Sequence, residues 1–577
     1  MVCPRGRNYR GCMKLGVLNI IPRAFRTRGV VVCLTIFIRA LLNFMGLAAL
    51  LPVLYLILDS DNIRSNAWLS AIYDYFGFNS EMSFIVAVAL SVVLFVAVKC
   101  LVNLFLYRFE RDYIYSLYKF LSRNLYIDYF NRGLSFIKAS NSAVLSRNVN
   151  VVCYTFVSGV LRPMAVLLSE AILFLMLFVS IAVYSPVAAL LTVAIFIPAV
   201  WLYFALVRNR VNRYGTIENE AHRRKFRDTV ETYRGYADIE INNAFSSMLK
   251  QFDENTDTMV DMGAKNATIS TLPQLFTEIG IAAGMAIMVA LCVGLDSGNM
   301  KILFGIFAVA ALRLMPSVRA IMGAWTSLRY NRYTIEIIAS ANVNSQVDVE
   351  SSSTESLDFK RSIEVDNISF SFEDSQSPLF SSLSFTINKG EKIGINGRSG
   401  AGKTTLFNLL LGFYSPTEGQ IRIDGQVLGE NNRRKWQNSI GYVSQSVFLT
   451  DSTILANIAL GSKAEDIDME RVERAVKAAS LGEFIDALPN GLDTRIGECG
   501  ALLSGGQRQR IGIARALYKG AQVLFFDEAT SSLDSQTEQS INEAIVELAR
   551  TNEALTIVVI AHRESSLGYC DRVITLK

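Results

Sequence analysis

A glycine-rich turn between an apolar strand pattern and a helix start is the clearest chemical feature of this sequence. In GEKIGINGRSGAGKTTLFNLLLG, the residues from Gly397 to Thr404 fit the pattern G-x-x-x-x-G-K-[ST]. Glycines let backbone N–H groups curl around phosphate oxygens, and the positive end of the helix dipole faces the same anion. We therefore predict a loop that binds nucleotide phosphates, made of Gly397, Arg398, Ser399, Gly400, Ala401, Gly402, Lys403, Thr404 and Thr405.

Two acidic residues end a second apolar strand pattern, AQVLFFDEATSSLD. Asp527, at the end of the strand, is suited to hold Mg²⁺ through water, together with the hydroxyl of Thr404. Glu528 would face the attacking water as the general base. The alternative is an acidic strand end that only caps the next helix.

A third stretch, LSGGQRQRIGIARAL, places Ser504, Gly505, Gly506 and Gln507 before a helix, where they would bind another anion. The chain already has one phosphate loop, and these residues together resemble the signature of the ATP-binding cassette (ABC) family. The resemblance implies ATP and Mg²⁺ as cofactors. It also implies a dimer, most simply of two identical copies, in which this signature closes over the ATP held by the opposite subunit.

Other positions carry over from the family one at a time. Phe372 in ISFSFEDS aligns with the aromatic residue on which adenine stacks, and Gln445 in YVSQSVFL resembles the loop glutamine that senses Mg²⁺. Asp534 lies in the SSLD loop, which crosses the dimer interface in the family. His562 in VVIAHRESS looks like the switch histidine that contacts the terminal phosphate. The implied catalytic residues are therefore Glu528, His562 and Gln445.

The elements that must position these residues follow a change in composition along the chain. Hydrophobic residues make up 51% of the 577 residues and charged residues 19%, and the long apolar runs all lie before residue 342. This predicts a membrane all-α domain followed by an α/β P-loop ATPase. Runs long enough to cross about 30 Å of hydrocarbon, about 20 residues each, occur six times, at 29–58, 84–107, 164–184, 187–207, 273–295 and 302–323.

The distribution of basic residues sets the direction of the six spans. Lys and Arg precede the first span and crowd the two long loops, whereas the three opposite connections hold only Arg64 and Lys301. By the positive-inside rule, the N-terminus, both long loops and the ATPase are cytoplasmic in a plasma (inner) membrane protein. The polar loops carry helical patterns, so we expect the spans to continue into the cytoplasm as helices.

We predict four segments: a cytoplasmic segment 1–28, a transmembrane domain 29–340, a Ser-rich linker 341–361 and an ABC ATP-binding domain 362–577. The formal charge of +4 does not suggest a nucleic-acid partner. The eight cysteines form no C-x-x-C pairs, which argues against a metal cluster or a disulfide framework.

Charges within the predicted spans are candidates for substrate contact, because each costs at least about 2.5 kcal/mol on insertion scales. At 1.5 Å per residue, Arg313 lies roughly 16 Å into the sixth span and Arg39 about 15 Å into the first. With Lys99 in the second span, they would bind an anionic headgroup. The alternative is that these cations pair with Glu170 and Glu278 and pin the helices together.

Six spans and one cassette resemble a type IV ABC exporter half-transporter. The stretches FIKASNSAVLSRNVN, LPQLFTEIG and AALRLMPSVRAI look like parts of bacterial lipid-linked oligosaccharide flippases. The resemblance implies flipping of a polyprenyl-pyrophosphate-linked oligosaccharide, with membrane lipid around the protein. Alternatives are a multidrug, lipid A or peptide exporter, while six spans exclude the non-transporting cassette ATPases.

Overall fold

The structure is a computed structural model that divides into two compact units, Met1–Val347 and Asp348–Lys577. The division falls inside the Ser-rich stretch predicted as the linker. The side chains at 291–295 and 298–313 lie outside what the structure describes, although their backbone is helical. The described residues are 20–49, 73–78, 80–184, 186–295, 298–341, 355–372, 377–528, 535–561 and 567–576.

The first unit is helical, as long apolar runs require, because a helix satisfies its backbone hydrogen bonds within one segment. Its long helices are α1 Arg23–Ala48, α2 Glu81–Asn131, α3 Arg162–Tyr184, α4 Pro186–Arg234, α5 Phe245–Leu295 and α6 Gly298–Tyr330. Shorter helical segments join them: Gly133–Ala139, Ser142–Arg147, Cys153–Phe156 between the π-helical turns Asn148–Val152 and Val157–Leu161, Tyr236–Ile241 and Arg332–Ala339.

Three of the helices are far longer than a membrane is thick. The helices α2, α4 and α5 have 51, 49 and 51 residues, and at 1.5 Å per residue each is roughly 75 Å long. The apolar spans therefore continue as helices into the polar loops, as the loop sequences predict.

Three stretches of the described helices are long and apolar enough to cross a membrane: Arg23–Gly46, Met82–Asn131 and Ser142–Val183. The predicted spans at 187–207, 273–295 and 302–323 lie in α4, α5 and α6, where a number of side chains fall outside the description.

Packing between α4, α5 and α6 builds one apolar core of the first unit. Tyr203 and Val211 of α4 are fully buried, and they pack with Ile269 of α5 and Met322 of α6. The hydroxyl of Tyr203 shares a hydrogen bond with Thr326, so the polar end of this buried ring is satisfied.

A parallel sheet forms the centre of the second unit. The strands of this unit are β1 Ser362–Phe370, β2 Phe380–Asn388, β3 Lys392–Gly397, β4 Glu418–Ile423, β5 Gln426–Val427, β6 Ile440–Val443, β7 Val523–Asp527, β8 Thr556–Ile560 and β9 Arg572–Leu576. The parallel sheet has the strand order β6-β7-β8-β3-β9, and a separate antiparallel sheet has the order β2-β1-β4-β5. The strands β7 and β8 are buried along their whole length, as expected for central strands covered on both faces.

The helices of the second unit connect these strands. Lys403–Leu410 (α7) follows β3, Gly505–Tyr518 (α8) precedes β7, and Ser535–Thr551 (α9) lies between β7 and β8. Because β3, β6, β7 and β8 are parallel, their carboxyl ends share one edge of the sheet, which is where α/β proteins bind ligands. The remaining helices are Arg433–Ser439, Ile454–Ile458, Met469–Ala478 and Gly482–Asp486, with single 3₁₀ turns at Ala464–Asp466, Gly491–Asp493 and Glu498–Gly500.

Candidate nucleotide-binding site

The loop between β3 and α7 has the geometry that phosphate binding requires. Gly402 has a φ of +88°, and a Cβ there would lie 2.8 Å from a side-chain carbon of Leu379, so both backbone and space call for glycine. As the N-cap of α7 it also has no side chain to occupy the first N–H groups of the helix. Those N–H groups fit an anion such as a nucleotide phosphate.

Lys403 lies over this loop with only 5% of its surface exposed. Its Nζ donates hydrogen bonds to the carbonyl oxygens of Gly397 at 2.9 Å and Arg398 at 3.2 Å. A buried ammonium group is stable only with acceptors around it, and phosphate oxygens are better acceptors than carbonyls because they are charged. The loop residues predicted from the sequence are therefore brought together in a form that fits nucleotide phosphates.

The carboxylate of Asp527, at the carboxyl end of β7, is 5% exposed and has a donor on each oxygen. Thr404 Oγ1 donates to Oδ1 at 3.4 Å, so the two predicted metal ligands lie side by side. The hydroxyl of Tyr442 donates to Oδ2 at 3.2 Å. Burial, followed by the charge of Asp527, raises the pKa of Tyr442, so this hydroxyl keeps its proton at neutral pH. A hydroxyl and a carboxylate are ligands that fit Mg²⁺.

Glu528 follows Asp527 in a left-handed backbone conformation, with a φ of +50°. Such a conformation costs a non-glycine residue free energy and is often found at functional sites. Gln445 Nε2 donates to Glu528 Oε2 at 3.2 Å, so two of the predicted catalytic residues are in contact. The backbone N–H of Glu528 donates to Ile560 O at 3.0 Å, which ties this turn to β8.

The signature helix α8 begins with a capping box. The hydroxyl of Ser504 accepts from the N–H of Gln507, and the side chain of Gln507 accepts from the N–H of Ser504 at 2.8 Å. The S-x-x-Q spacing carries this information in the sequence. Contact of Ser504, Gly505, Gly506 and Gln507 with an opposite subunit stays a prediction.

A contact that the sequence does not reveal joins α8 to the loop of Gln445. Gln509 is 4% exposed, and its Nε2 donates to the carbonyl oxygens of Ser444 at 3.3 Å and Gln445 at 2.8 Å. No motif in the sequence marks this pairing, because it joins residues more than 60 positions apart.

Phe372 lies two residues beyond the end of β1, with 45% of its surface exposed. Its ring meets Phe370 edge-on at 5.0 Å and Tyr414 edge-on at 6.1 Å. The ring is therefore supported from the side, and this arrangement suits stacking on a planar base.

Three predicted site positions cannot be placed. Asp534 and His562 lie outside the described residues, and the backbone of Arg313 is described but its side chain is not. The roles assigned to these residues stay predictions.

Arg39 of α1 forms an ion pair with Glu110 of α2, with Arg39 Nη1 and Glu110 Oε2 2.7 Å apart. Further along the same two helices, Asn103 of α2 donates a hydrogen bond to Asn43 of α1 at 2.8 Å. Beyond that contact, Lys99 of α2 lies against Gly46 of α1. This antiparallel ladder puts Arg39 level with Glu110, three residues past the predicted end of the second span.

The level of Glu110 corrects the depth deduced for Arg39. The neighbours of Glu110 on α2, Arg108, Arg111 and Asp112, are charged, so this level is near the end of the second apolar run rather than 15 Å inside a span. Lys99 of α2 is the deeper cation, because it lies against Gly46, which is roughly 10 Å beyond Arg39 along α1 at 1.5 Å per residue.

The two acidic residues inside the spans also have polar partners. Arg319 lies 3.9 Å from Glu278, and Ser317 donates to Glu170 at 2.8 Å. The ion pairs Arg39–Glu110 and Arg319–Glu278 each join two helices, as the alternative expects, although neither is one of the pairs that it names. Glu110 was missed as a partner because it lies outside the apolar run.

A comparison of the sequence with known proteins supports the assignment of the nucleotide-binding site. The model of a protein family described as ABC transporter matches residues 380–531, which include the phosphate loop, the signature, Asp527 and Glu528. This segment of the chain is therefore similar to the ATPase domain of ABC transporters.

Two of the similar curated proteins are named as lipid flippases. An "ATP-dependent lipid A-core flippase" of Cupriavidus pinatubonensis is 31% identical over 389 residues, which cover 67% of this chain and 65% of that protein. One of the same name from Dechloromonas aromatica is 38% identical over 316 residues, covering 54% and 53%. The chain thus matches less than two thirds of the length of these relatives.

Among solved structures, that of a bacterial Atm1-family ABC exporter with ATP bound superposes with a TM-score of 0.74. It is 24% identical and covers 96% of this chain and 93% of that one. The fold class predicted from the sequence, a helical membrane domain followed by an α/β ABC ATPase domain, is therefore confirmed. ATP and Mg²⁺ are also confirmed as the cofactors that ABC ATPase domains use.

Proposed function

We propose that this chain is one half of a dimeric exporter that hydrolyses ATP to move an amphipathic lipid across the plasma (inner) membrane. The observation that carries the ATPase part is the pairing of two carboxylates with two partners at one sheet edge. Thr404 lies 3.4 Å from Asp527, and Gln445 lies 3.2 Å from Glu528.

Each residue of the site would have its own role in ATP hydrolysis. Lys403 would bind the outer phosphates, while Thr404 and Asp527 would hold Mg²⁺, which neutralises charge on the phosphates. Glu528 would accept a proton from the attacking water. Gln445 would report the state of the site, and His562 would contact the terminal phosphate. The signature from Ser504 to Gln507 and Asp534 would complete the site of the opposite subunit.

The proposed substrate is a polyprenyl-pyrophosphate-linked oligosaccharide. The spans contain Arg39, Lys99, Arg313 and Arg319, against the carboxylates of Glu170 and Glu278 within the spans and Glu110 at their edge. One cation therefore exceeds the acids, and a charge in hydrocarbon is retained where it meets an anion or a cavity.

Two of these cations remain as candidates for the headgroup. Arg39 is held by Glu110 and Arg319 lies near Glu278, so we assign the pyrophosphate to Arg313 and Lys99. A guanidinium group can bind two phosphate oxygens at once, so we expect Arg313 to make the main contact with the pyrophosphate. The hydrocarbon tail would stay in the lipid.

A lipid A-core substrate is the second candidate, and the names of the similar flippases favour it. It is also a phosphate-bearing lipid, so the same cations would serve. The two lipids differ in their anchor, a single polyprenyl chain or several acyl chains, and this difference makes the choice measurable.

The test is flipping in proteoliposomes that contain the purified full chain and one fluorescent lipid, either a polyprenyl-pyrophosphate sugar or a lipid A-core. We expect ATP-dependent flipping of the first, and a loss of at least about tenfold in Arg313→Ala, the size of effect a single buried contact supports. ATP hydrolysis should persist in that variant.

Flipping of the lipid A-core alone would select the second candidate. Unchanged flipping in Arg313→Ala with ATPase activity intact would contradict the assigned contact. The Glu528→Gln protein serves as the control without turnover.

A further inference from the structure

The hydroxyl of Tyr442 is an unassigned partner of the metal-side carboxylate. Tyr442 lies on β6, 85 residues before Asp527 in the sequence, and donates to Asp527 Oδ2 at 3.2 Å. Thr404 occupies the other oxygen, Oδ1. The carboxylate is thus held in one orientation from two sides.

The strand register explains why this tyrosine reaches the carboxylate. β6 and β7 are parallel, with Tyr442 paired to Phe525. Side chains alternate along a strand, so residues 525 and 527 point to the same face, and Tyr442 points there too. Its long ring spans the two-residue offset towards the carboxyl edge, which a shorter side chain would not do.

The exposure of Tyr442 argues against a role in core packing. It is the exposed position of β6, between buried neighbours, and 38% of its surface is accessible. Asp527 is nearly buried, and a buried carboxylate depends on its donors. The hydrogen bond therefore stabilises the carboxylate of Asp527 more than it stabilises the packing of the tyrosine ring.

The ends of β6 and β7 meet in two similar side-chain contacts. Tyr442 and Gln445 come from the end of β6, and each contacts one of the two adjacent carboxylates that end β7, Asp527 and Glu528. Gln445 has a family counterpart, whereas Tyr442 is marked by no motif in this sequence.

We propose that Tyr442 is a positioning residue for Asp527: its hydroxyl fixes Oδ2 so that Oδ1 faces Thr404, the other residue that would hold Mg²⁺. The inference rests on the proposed ATPase function. Groups that orient a metal ligand from behind typically change metal affinity or activity by about 10- to 100-fold when removed.

The test is the Mg²⁺ dependence of ATP binding in Tyr442→Phe, which removes only the hydroxyl. The full chain in detergent carries Glu528→Gln as background so that ATP is not consumed, and ATP binding is measured by calorimetry at a series of Mg²⁺ concentrations and in EDTA. We expect the half-saturating Mg²⁺ concentration to rise about tenfold or more. ATP affinity in EDTA should not change.

Two further variants complete the design. Tyr518→Phe is the matched control, because its hydroxyl accepts the N–H of Asp468 at 3.3 Å, away from the carboxylates, and its Mg²⁺ curve should equal that of the background. In Asp527→Asn, adding Tyr442→Phe should produce no further shift, because the two residues act as one unit.

An unchanged Mg²⁺ curve in Tyr442→Phe would overturn the inference while leaving the ATPase proposal intact. Equal loss of ATP binding with Mg²⁺ and in EDTA would also overturn it, since that result indicates general damage to the pocket. If the Glu528→Gln background itself binds no ATP, the proposed function fails, and the inference fails with it.

Discussion

Removing one partner of the Arg39–Glu110 ion pair tests whether this contact holds α1 against α2. The two atoms are 2.7 Å apart, and the side chains are 16% and 6% exposed. Arg39→Met keeps the length of the side chain but leaves the carboxylate of Glu110 nearly buried without this partner. Glu110→Gln is the reciprocal change.

The size of the effect follows from the burial. Breaking a buried ion pair from one side costs about 3–5 kcal/mol. Arg39 is partly exposed, and Arg162 is a second cation near Glu110, so we expect the lower end for Arg39→Met, about 3 kcal/mol. At roughly 2 °C per kcal/mol for a large domain, the apparent melting temperature should fall by about 6 °C.

The double variant Arg39→Met/Glu110→Leu separates the two possible roles of the arginine. Replacing a buried ion pair by apolar side chains is often neutral, so its melting temperature in nanodiscs should return close to that of the unchanged chain. If Arg39 only holds the helices, lipid flipping in proteoliposomes should recover as well.

Two results would refute this reasoning. A melting temperature that stays within about 1 °C in both single variants would show that the ion pair does not join the helices. A stable double variant that hydrolyses ATP but cannot flip lipid would return Arg39 to the substrate site, as the sequence predicts.

Two further predictions concern the second unit. Glu528→Gln should bind ATP and lose turnover because an amide cannot accept the proton of the attacking water; continued phosphate release in a colorimetric assay would contradict Glu528 as the base. Burial, with the neighbouring charge of Asp571, raises the pKa of Cys570 to about 11. At pH 8 about one thiol in a thousand is therefore the reactive thiolate, and its alkylation should accelerate about tenfold per pH unit up to that value. Peptide mass spectrometry after iodoacetamide treatment should find exposed Cys499 modified before Cys570; equal rates for the two at pH 8 would contradict the raised pKa of Cys570.

The sequence predicts the nucleotide site well because its motifs are local. Lys403 and Thr404 follow the glycines of one loop, and Asp527 and Glu528 end one strand, so each spacing fixes a short piece of backbone. Tyr442 could not be found in this way, since its role depends on which strand lies beside β6 and in what register.

Charge pairing between helices is hidden from the sequence for the same reason. The partner of Arg39 is 71 residues away on the antiparallel helix α2, and it lies beyond the apolar run that defines the span. Counting charges inside the predicted spans therefore finds Glu170 and Glu278 but omits Glu110. Only the level at which α1 and α2 meet reveals the pair.

The contact of Gln509 with the backbone of Ser444 and Gln445 has a consequence for a dimer. The same helix begins at the signature, which faces ATP on the opposite subunit in the proposed arrangement, while Gln445 serves the ATP of its own subunit. If this loop shifts when one nucleotide binds, the hydrogen bonds of Gln509 would carry the shift to the surface that receives the other nucleotide. Occupancy of the two sites should be cooperative, and the coupling free energy must be equal in both directions.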